Sequence, residues 1–370
     1  MPTPLPITGR PVRVAIVGLG QVSELCLPPY TERDDVEIVG LCDRDPKRVA
    51  RWAAVFPEAA ECTELDQLLA IDADVVDVLV PTPYHADVVV RVLDAGFHVQ
   101  VQKPIARTLE DAERMLAAAR RTGATLRVLE DYCFYPPLVA LHEILGAGEI
   151  GTPVGVHMKI VGTGRGGWDI NPDSFRWQWE QAADGRGLLT FDHGWHQLAI
   201  AHWLLGPITR VFGWIRYTQV APDLAPEILI DAPATLVWDH ANGARGVLDI
   251  TLAPDTYFKS DYYTCDERVE ITGTRGYVRC NRISSRGVME PAVVVYKEGE
   301  VRALHALDDD PPSAFRAQLA AGIEFFRSGD GTPALDADAA YEILRVLLTA
   351  LDSSEQGIPL DVEPPTAAGT

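Results

Sequence analysis

An α/β fold in two parts is what this sequence predicts, and three observations carry it. Strand and helix patterns alternate through the first third of the chain. Glycines punctuate that alternation, and from about Leu138 the pattern changes to strands joined by hairpin signals. Alternation implies a parallel sheet covered on both faces, whereas sequential hairpins imply a largely antiparallel sheet. With 370 residues, the chain is long enough for two domains, each with its own core.

The first strand, Val12–Val17, is a β-branched run that stops at glycine, as buried parallel strands do. Gly18-Leu19-Gly20-Gln21-Val22-Ser23 follows, a G-x-G-x-x-G pattern with serine in the third place. Gly18 permits a tight turn, and Gly20 lets the backbone approach a pyrophosphate at the next helix's N-terminus. A second strand, Val36–Cys42, leads into Asp43, which lies 25 positions after Gly18. A carboxylate there is placed to accept hydrogen bonds from an adenosine ribose. It repels a 2′-phosphate and so points to NAD, while Arg44 beside it keeps NADP open. Asp43 also stands where it could cap a helix beginning near Pro46.

The alternation continues with a strand over 74–80, a helix over 84–95, a strand over 97–101, a helix over Leu109–Thr122 and a strand over 124–129. Ligands bind such sheets beyond the carboxyl ends of the strands. Three segments fall there: Pro81-Thr82-Pro83-Tyr84-His85, Gln102-Lys103-Pro104 and Glu130-Asp131-Tyr132. Lys103 follows a buried strand and precedes a proline, which holds it extended. At the mouth of a low-dielectric crevice it becomes a usable base. The bland alternative is a solvated surface lysine.

In the second half, strands are expected over 153–161, 208–217, 234–239, 244–251, 268–271, 276–280 and 292–296. Asn242-Gly243 and Gly273–Gly276 supply hairpin turns. Helices near 187–205, 312–328 and 337–356 are expected to cover one face of this sheet. The other face, expected to be apolar and aromatic, suits contact between subunits. Long irregular segments are expected at 162–186, 218–232 and 253–266. The first holds Trp168, Asp169, Asp173, Arg176, Trp177 and Trp179. Indole faces beside carboxylates and a guanidinium suit a sugar or glycoside, and an aromatic plug is the alternative.

The stretch from Gly187 to His202 is apolar nearly all round a helix, yet Asp192 and His196 stand four apart and share one face. Buried titratable groups are paired, metal-bound or catalytic. With His193 and His202 nearby, all three readings stay open at this point.

Composition narrows the classes. A net charge of −21 repels phosphate backbones and speaks against a nucleic-acid partner. The six cysteines are scattered without a C-x-x-C pair, so no disulfide framework is expected and a cytoplasmic setting is. No apolar run approaches the roughly 18 residues of a membrane span.

Taken in order, the Gly18-x-Gly20 turn, Asp43, Pro81–His85, Lys103-Pro104 and Asp192-x-x-x-His196 resemble the Gfo/Idh/MocA oxidoreductases, from about Arg10 to Val362. The resemblance implies a Rossmann domain over 10–134. It further implies an α/β domain over 135–362 with an open mixed sheet for substrate binding and oligomerisation. It implies an NAD-dependent (or NADP-dependent) dehydrogenase that oxidises a secondary ring hydroxyl of a sugar, inositol or glycoside. The family's catalytic set falls on Lys103, Asp192 and His196. Its cofactor contacts fall on Gly18, Gly20, Gln21, Val22, Asp43, Arg44, Pro81, Thr82, His85, Gln102 and Lys103. Tyr132, Arg165, Trp168, Arg176 and Trp177 stand where substrate contacts are expected, and no metal is expected. A homo-oligomer, dimer or tetramer, is implied. Two departures stand out: Gln102 replaces the family's usual glutamate, and Asp131 and Cys133 stand where Asn and Arg are frequent. Gln102 removes a carboxylate from beside Lys103, which suits a base better than a permanent cation. Rival readings are a glycosidase or redox isomerase that uses bound NAD transiently, a cofactor-binding regulator, and a metal-dependent hydrolase. An acid–base set is more than a regulator needs, and a hydrolase would require a ligand set that the sequence lacks.

Overall fold

The computed structural model describes residues 6–167, 176–178, 185–219, 229–259, 262, 265–281, 290–329 and 335–363. They form two compact units. One runs to Asp131 and takes in Phe315–Leu344; the other comprises Tyr132–Ala314 and the residues from Arg345.

The first unit is built on β1 (Val12–Val17), β2 (Val36–Cys42), β3 (Ala60–Cys62), β4 (Val75–Val78), β5 (His98–Gln102) and β6 (Leu126–Leu129). These pair in parallel in the order β3-β2-β1-β4-β5-β6. The order reverses between β1 and β4, which opens a crevice beyond their carboxyl ends. The connecting helices are α1 (Ser23–Cys26), α2 (Pro46–Ala53), α3 (Leu65–Leu69), α4 (His85–Asp94) and α5 (Leu109–Thr122). α5 shows why the sequence pattern was legible. Thr108 caps it by accepting from the Asp111 N–H, acidic residues fill its first turn, and arginines fill its last. Gly123 then ends it in the left-handed region at φ 73°.

The second unit continues with α6 (Pro136–Gly146), β7 (Pro153–Gly166), α7 (Gly194–Leu205), β8 (Ile208–Ile215), β9 (Thr218–Gln219), β10 (Leu229–Ile230), β11 (Ala234–His240), β12 (Arg245–Phe258) and β13 (Cys265–Gly273). After these come β14 (Gly276–Cys280), β15 (Val293–Lys297), β16 (Glu300–Leu304), α8 (Pro312–Ser328), α9 (Ala337–Gln356) and β17 (Leu360–Asp361). Its large sheet runs β16-β15-β14-β13-β7-β12-β11-β8-β17. Every pair is antiparallel except β7 with β12, so the sheet is mixed. β11 and β13 alternate buried and half-buried residues, giving one core face and one outer face. On the core side α6 packs against β14 and β15, and α7 against β7.

Three expectations need correction. β7 and β12 run much further than their sequence patterns suggest, so the expected loops at 162–186 and 253–266 are shorter. Pro254 and Asp255 read as breakers, yet a register shift between Ala253 and Tyr257 absorbs them as a bulge before pairing resumes. Gly166 closes this end, because a Cβ there would stand 1.8 Å from the Phe258 carbonyl oxygen. Second, the residues of α8 from Phe315 onward belong to the first unit. They meet it at Gly322, where a Cβ would stand 2.2 Å from an Arg127 guanidinium nitrogen. Third, the outer face of the large sheet is mixed, with exposed His157, Lys159, Asp249 and Trp214 beside half-buried Val161, Val237 and Val247.

Arg127 belongs to a buried polar row across β4, β5 and β6. Its Nη1 donates to Gln100 Oε1 at 2.6 Å; Gln100 Nε2 and Tyr30 Oη donate to the two oxygens of Asp77 at 2.8 and 2.6 Å. Burial pushes the Asp77 carboxyl up to about 6, against the pull of Tyr30, Gln100 and Arg127. The folded chain therefore holds this proton more tightly than the unfolded chain, whose carboxyl titrates near 3.8. Stability tied to the proton is complete below that ordinary value and falls as pH rises through about 6, by about 3 kcal/mol in all. Asp77→Asn should remove this slope. Melting curves should show the variant gaining stability relative to the wild type between about pH 4.5 and about pH 7.5. A relative loss over that interval would reverse the assignment.

Candidate active site

In the first unit the turn after β1 is shaped for close approach. Gly18 adopts φ 93°, and a Cβ there would lie 2.6 Å from the Leu79 carbonyl carbon and the Val80 nitrogen. Only glycine lets this turn press against the end of β4. At Gly20 a Cβ would meet nothing nearer than Arg48 at 3.8 Å, so the space over that residue is open. Ser23 fits the third position because its hydroxyl is used: it donates to Gly20 O at 2.6 Å and accepts from Trp52 Nε1 at 3.0 Å. α1 is only four residues long, since Pro28 and Pro29 stop it. The N–H groups of Gly20, Gln21 and Val22 donate to no acceptor among the described residues, which leaves them for an anion.

Asp43 accepts from Leu19 N at 2.8 Å and from Asp45 N at 2.9 Å, which fixes its carboxylate at the end of β2. The helix cap expected of Asp43 belongs instead to Asp45, which accepts from Lys47 N. Arg48 approaches Asp43 at 3.7 Å, while exposed Arg44 lies over the Tyr84 ring, 5.5 Å from its centroid. The open backbone cradle and this carboxylate fit an adenosine dinucleotide without a 2′-phosphate.

Across the crevice, half-buried Pro81 and buried Thr82 open a single 3₁₀ turn. His85 departs from its expected cofactor contact. It is fully buried and its ring spans two loops, with Nε2 2.9 Å from Val80 O and Nδ1 3.0 Å from Pro104 O. Carbonyl oxygens of the loop after β4 and of the loop after β5 lie at its two ring nitrogens, so the side chain fills the space between the two loops. That loop presents Lys103, which is half-buried, and its N–H donates to Gln102 Oε1 at 3.3 Å. Gln102 is itself buried and donates to Cys26 Sγ at 3.4 Å.

Asp192 and His196 lie in the second unit. The expected continuous α-helix is a wide π-turn over Leu188–His193 followed by α7. The turn has a cause that local sequence hides. Buried Asp231, from beyond β10, accepts from Leu189 N, Thr190 N and Phe191 N at 2.7, 2.9 and 2.8 Å. Burial pushes the Asp231 carboxyl up, and those three N–H groups draw it back. Gly187 makes room, since a Cβ there would stand 2.3 Å from Asp231 Oδ1. π-turns recur at functional sites because they shift the side chains that follow.

His196 is buried, and its ring stacks on Tyr132 with centroids 4.0 Å apart and planes 12° apart. The ring of His193 meets it edge-on at 5.4 Å. Burial opposes charge on His193, yet Cys265 and Glu267 hold its imidazole well above the ordinary histidine value. His193 Nε2 stands 2.7 Å from Glu267 Oε1 and 3.4 Å from Cys265 Sγ. Such a Cys–His–Glu set could take zinc, but two ligands of a tetrahedral zinc stand roughly 3.3 Å apart. The 2.7 Å separation is that of a charge-assisted hydrogen bond.

Of the expected substrate contacts, Tyr132 is buried with its hydroxyl committed to Glu267 at 2.9 Å. Arg165 is exposed near the end of β7, Arg176 is exposed, and Trp177 is half-buried. Trp168 lies outside the described residues. Asp231 and Glu267 went unseen in the sequence. Glu267 carried a usable signal, since it shares the core-facing row of β13 with Cys265, Val269 and Ile271.

Comparison with known proteins agrees with this architecture. Residues 12–130 match the model of an oxidoreductase family with an NAD-binding Rossmann fold, and residues 138–279 match the GFO/IDH/MocA C-terminal domain. The chain is 32% identical over 245 residues to a D-apiose dehydrogenase of Paraburkholderia graminis, covering 65% of this chain and 60% of that protein. It is 31% identical over 203 residues to the D-glucoside 3-dehydrogenase of Escherichia coli, covering 54% and 56%. Among solved structures, an Agrobacterium radiobacter oxidoreductase in complex with NAD+, L-tartaric acid and magnesium superposes with a TM-score of 0.80 at 21% identity. That superposition covers 95% of this chain and 98% of that one. With both of its domains matched, the chain belongs to the GFO/IDH/MocA family and is an oxidoreductase with an NAD-binding Rossmann domain.

Proposed function

We propose that this oxidoreductase is an NAD-dependent dehydrogenase of a secondary ring hydroxyl on a sugar, inositol or glycoside. The observation that carries the reading is His196, a buried imidazole stacked on Tyr132 and four residues beyond Asp192 in the chain. When bound, NAD supplies a hydride acceptor. The protein must supply a proton acceptor for the hydroxyl, charge to stabilise it, and a fixed orientation. Lys103 and His196 are assigned the proton transfer as a coupled set, with Asp192 orienting them and balancing positive charge. Gly18, Gly20, Gln21 and Val22 would cradle the pyrophosphate, Asp43 would hold the adenosine ribose, and Pro81, Thr82 and Gln102 would line the cofactor's path. Arg165, Arg176 and Trp177 are assigned to the substrate's hydroxyls and ring face. The relatives named for D-apiose and D-glucoside support this class. Among the described residues no helix is long and apolar enough to cross a membrane, and a cytoplasmic homo-oligomer is proposed.

A panel of sugars, inositols and glycosides with NAD or NADP should yield reduced-nicotinamide absorbance with at least one ring alcohol. Lys103→Ala and His196→Ala should each abolish turnover while the dissociation constant for NAD stays within about twofold of wild type. Turnover at the wild-type rate in either variant would remove that residue from the mechanism. Asp43→Ser should weaken NAD binding by roughly 10- to 100-fold, the worth of hydrogen bonds to a charged group, and narrow the preference over NADP. Unchanged affinity for both cofactors would show that Asp43 holds only its own turn.

A further inference from the structure

We propose that Glu267 is a positioning residue for the proton-transfer step, acting on His196 through Tyr132 and the helix that carries both His196 and Gln197. Glu267 stands in β13 on the face turned to the core and is fully buried. Its carboxylate gathers three donors from two other parts of the unit. Oε2 accepts from Tyr132 Oη at 2.9 Å, and Oε1 accepts from His193 Nε2 at 2.7 Å and from Gln197 Nε2 at 2.8 Å.

These three partners surround the histidine. His193 and Gln197 flank His196 in sequence, four residues apart on one side of the helix. Tyr132 covers a face of its ring in the 4.0 Å stack. Two elements that are far apart in the chain thus share one acceptor, which sets both the rotation of the helix start and the plane of the stacking ring. A carboxylate suits the place because it only accepts, and all three partners can donate. A glutamine would turn an NH2 group toward one of those donors. Inside a low-dielectric core, three donors converging on one carboxylate reinforce one another and favour a single arrangement.

The inference rests on the reading of His196 as a proton-transfer group, and the experiment separates the two. Glu267→Gln and Tyr132→Phe should each lower kcat roughly 10- to 100-fold, the loss expected when a reacting group is misplaced by about 1 Å. KM for NAD should be unchanged, because neither residue belongs to the cofactor's unit. Because the tyrosine hydroxyl acts through Glu267, the double variant should be no slower than the slower single variant. Losses that multiply in the double variant, or a Tyr132→Phe enzyme with wild-type kcat, would overturn the proposal. Tyr132→Phe deletes one oxygen and decides the matter alone if Glu267→Gln does not fold. His196→Ala is the control for the underlying reading. If it turns over at the wild-type rate, that reading fails. If it is inactive while both new variants match the wild type, only the role of Glu267 fails.

Discussion

Three consecutive backbone N–H groups at the head of the helix bearing Asp192 and His196 converge on the buried carboxylate of Asp231. This constraint shapes the segment of the second unit that carries Asp192 and His196. A helix start has N–H groups without intrahelical partners, and burying them unpaired is costly. Asp231 resolves that cost from some forty residues away, and the chain answers with a wide turn in place of a tight one. The turn sets where Asp192 leaves the backbone and where α7 begins. Glu267 then fixes the next turn from the sheet side, so two buried carboxylates hold one short segment at both of its ends.

The first unit reaches comparable rigidity by different means. Gly18 brings the glycine turn against the end of β4, and His85 lies between the end of β4 and the loop that presents Lys103. The chain of contact therefore runs from the glycine turn through Leu79 and Val80 to the lysine. A side chain expected to touch the cofactor lies instead between the backbone segments that follow β4 and β5. The position serves the architecture, since the ring is fully buried between the two loops.

Much of this was legible in the sequence because the local rules agreed with one another. β1, β2, α5 and α8 lie where strand runs, caps and helical periodicity predict them, and the glycine turn announces its own backbone. Other features were hidden by distance or by a misleading local signal. The π-turn depends on Asp231, which no local pattern connects to it. The second half of β12 was masked by Pro254 and Asp255, which sit in a bulge. Glu267 is hidden because its strand begins three residues before the apolar pattern becomes clear. The partner of α8 is hidden because an amphipathic helix shows which face is apolar but not which sheet will cover it. Gly322, the residue that admits Arg127, is only a weak mark within that helix.

The central claim is that a secondary ring alcohol loses hydride to a nicotinamide held by the first unit. The most direct measurement follows a label: the protein is turned over with NAD and glucosides carrying deuterium on their ring carbinol carbons, and the nicotinamide is recovered for mass spectrometry. The account predicts one deuterium on the reduced nicotinamide ring for each ring alcohol oxidised. Consumption of the glucoside with no deuterium reaching the nicotinamide would contradict it.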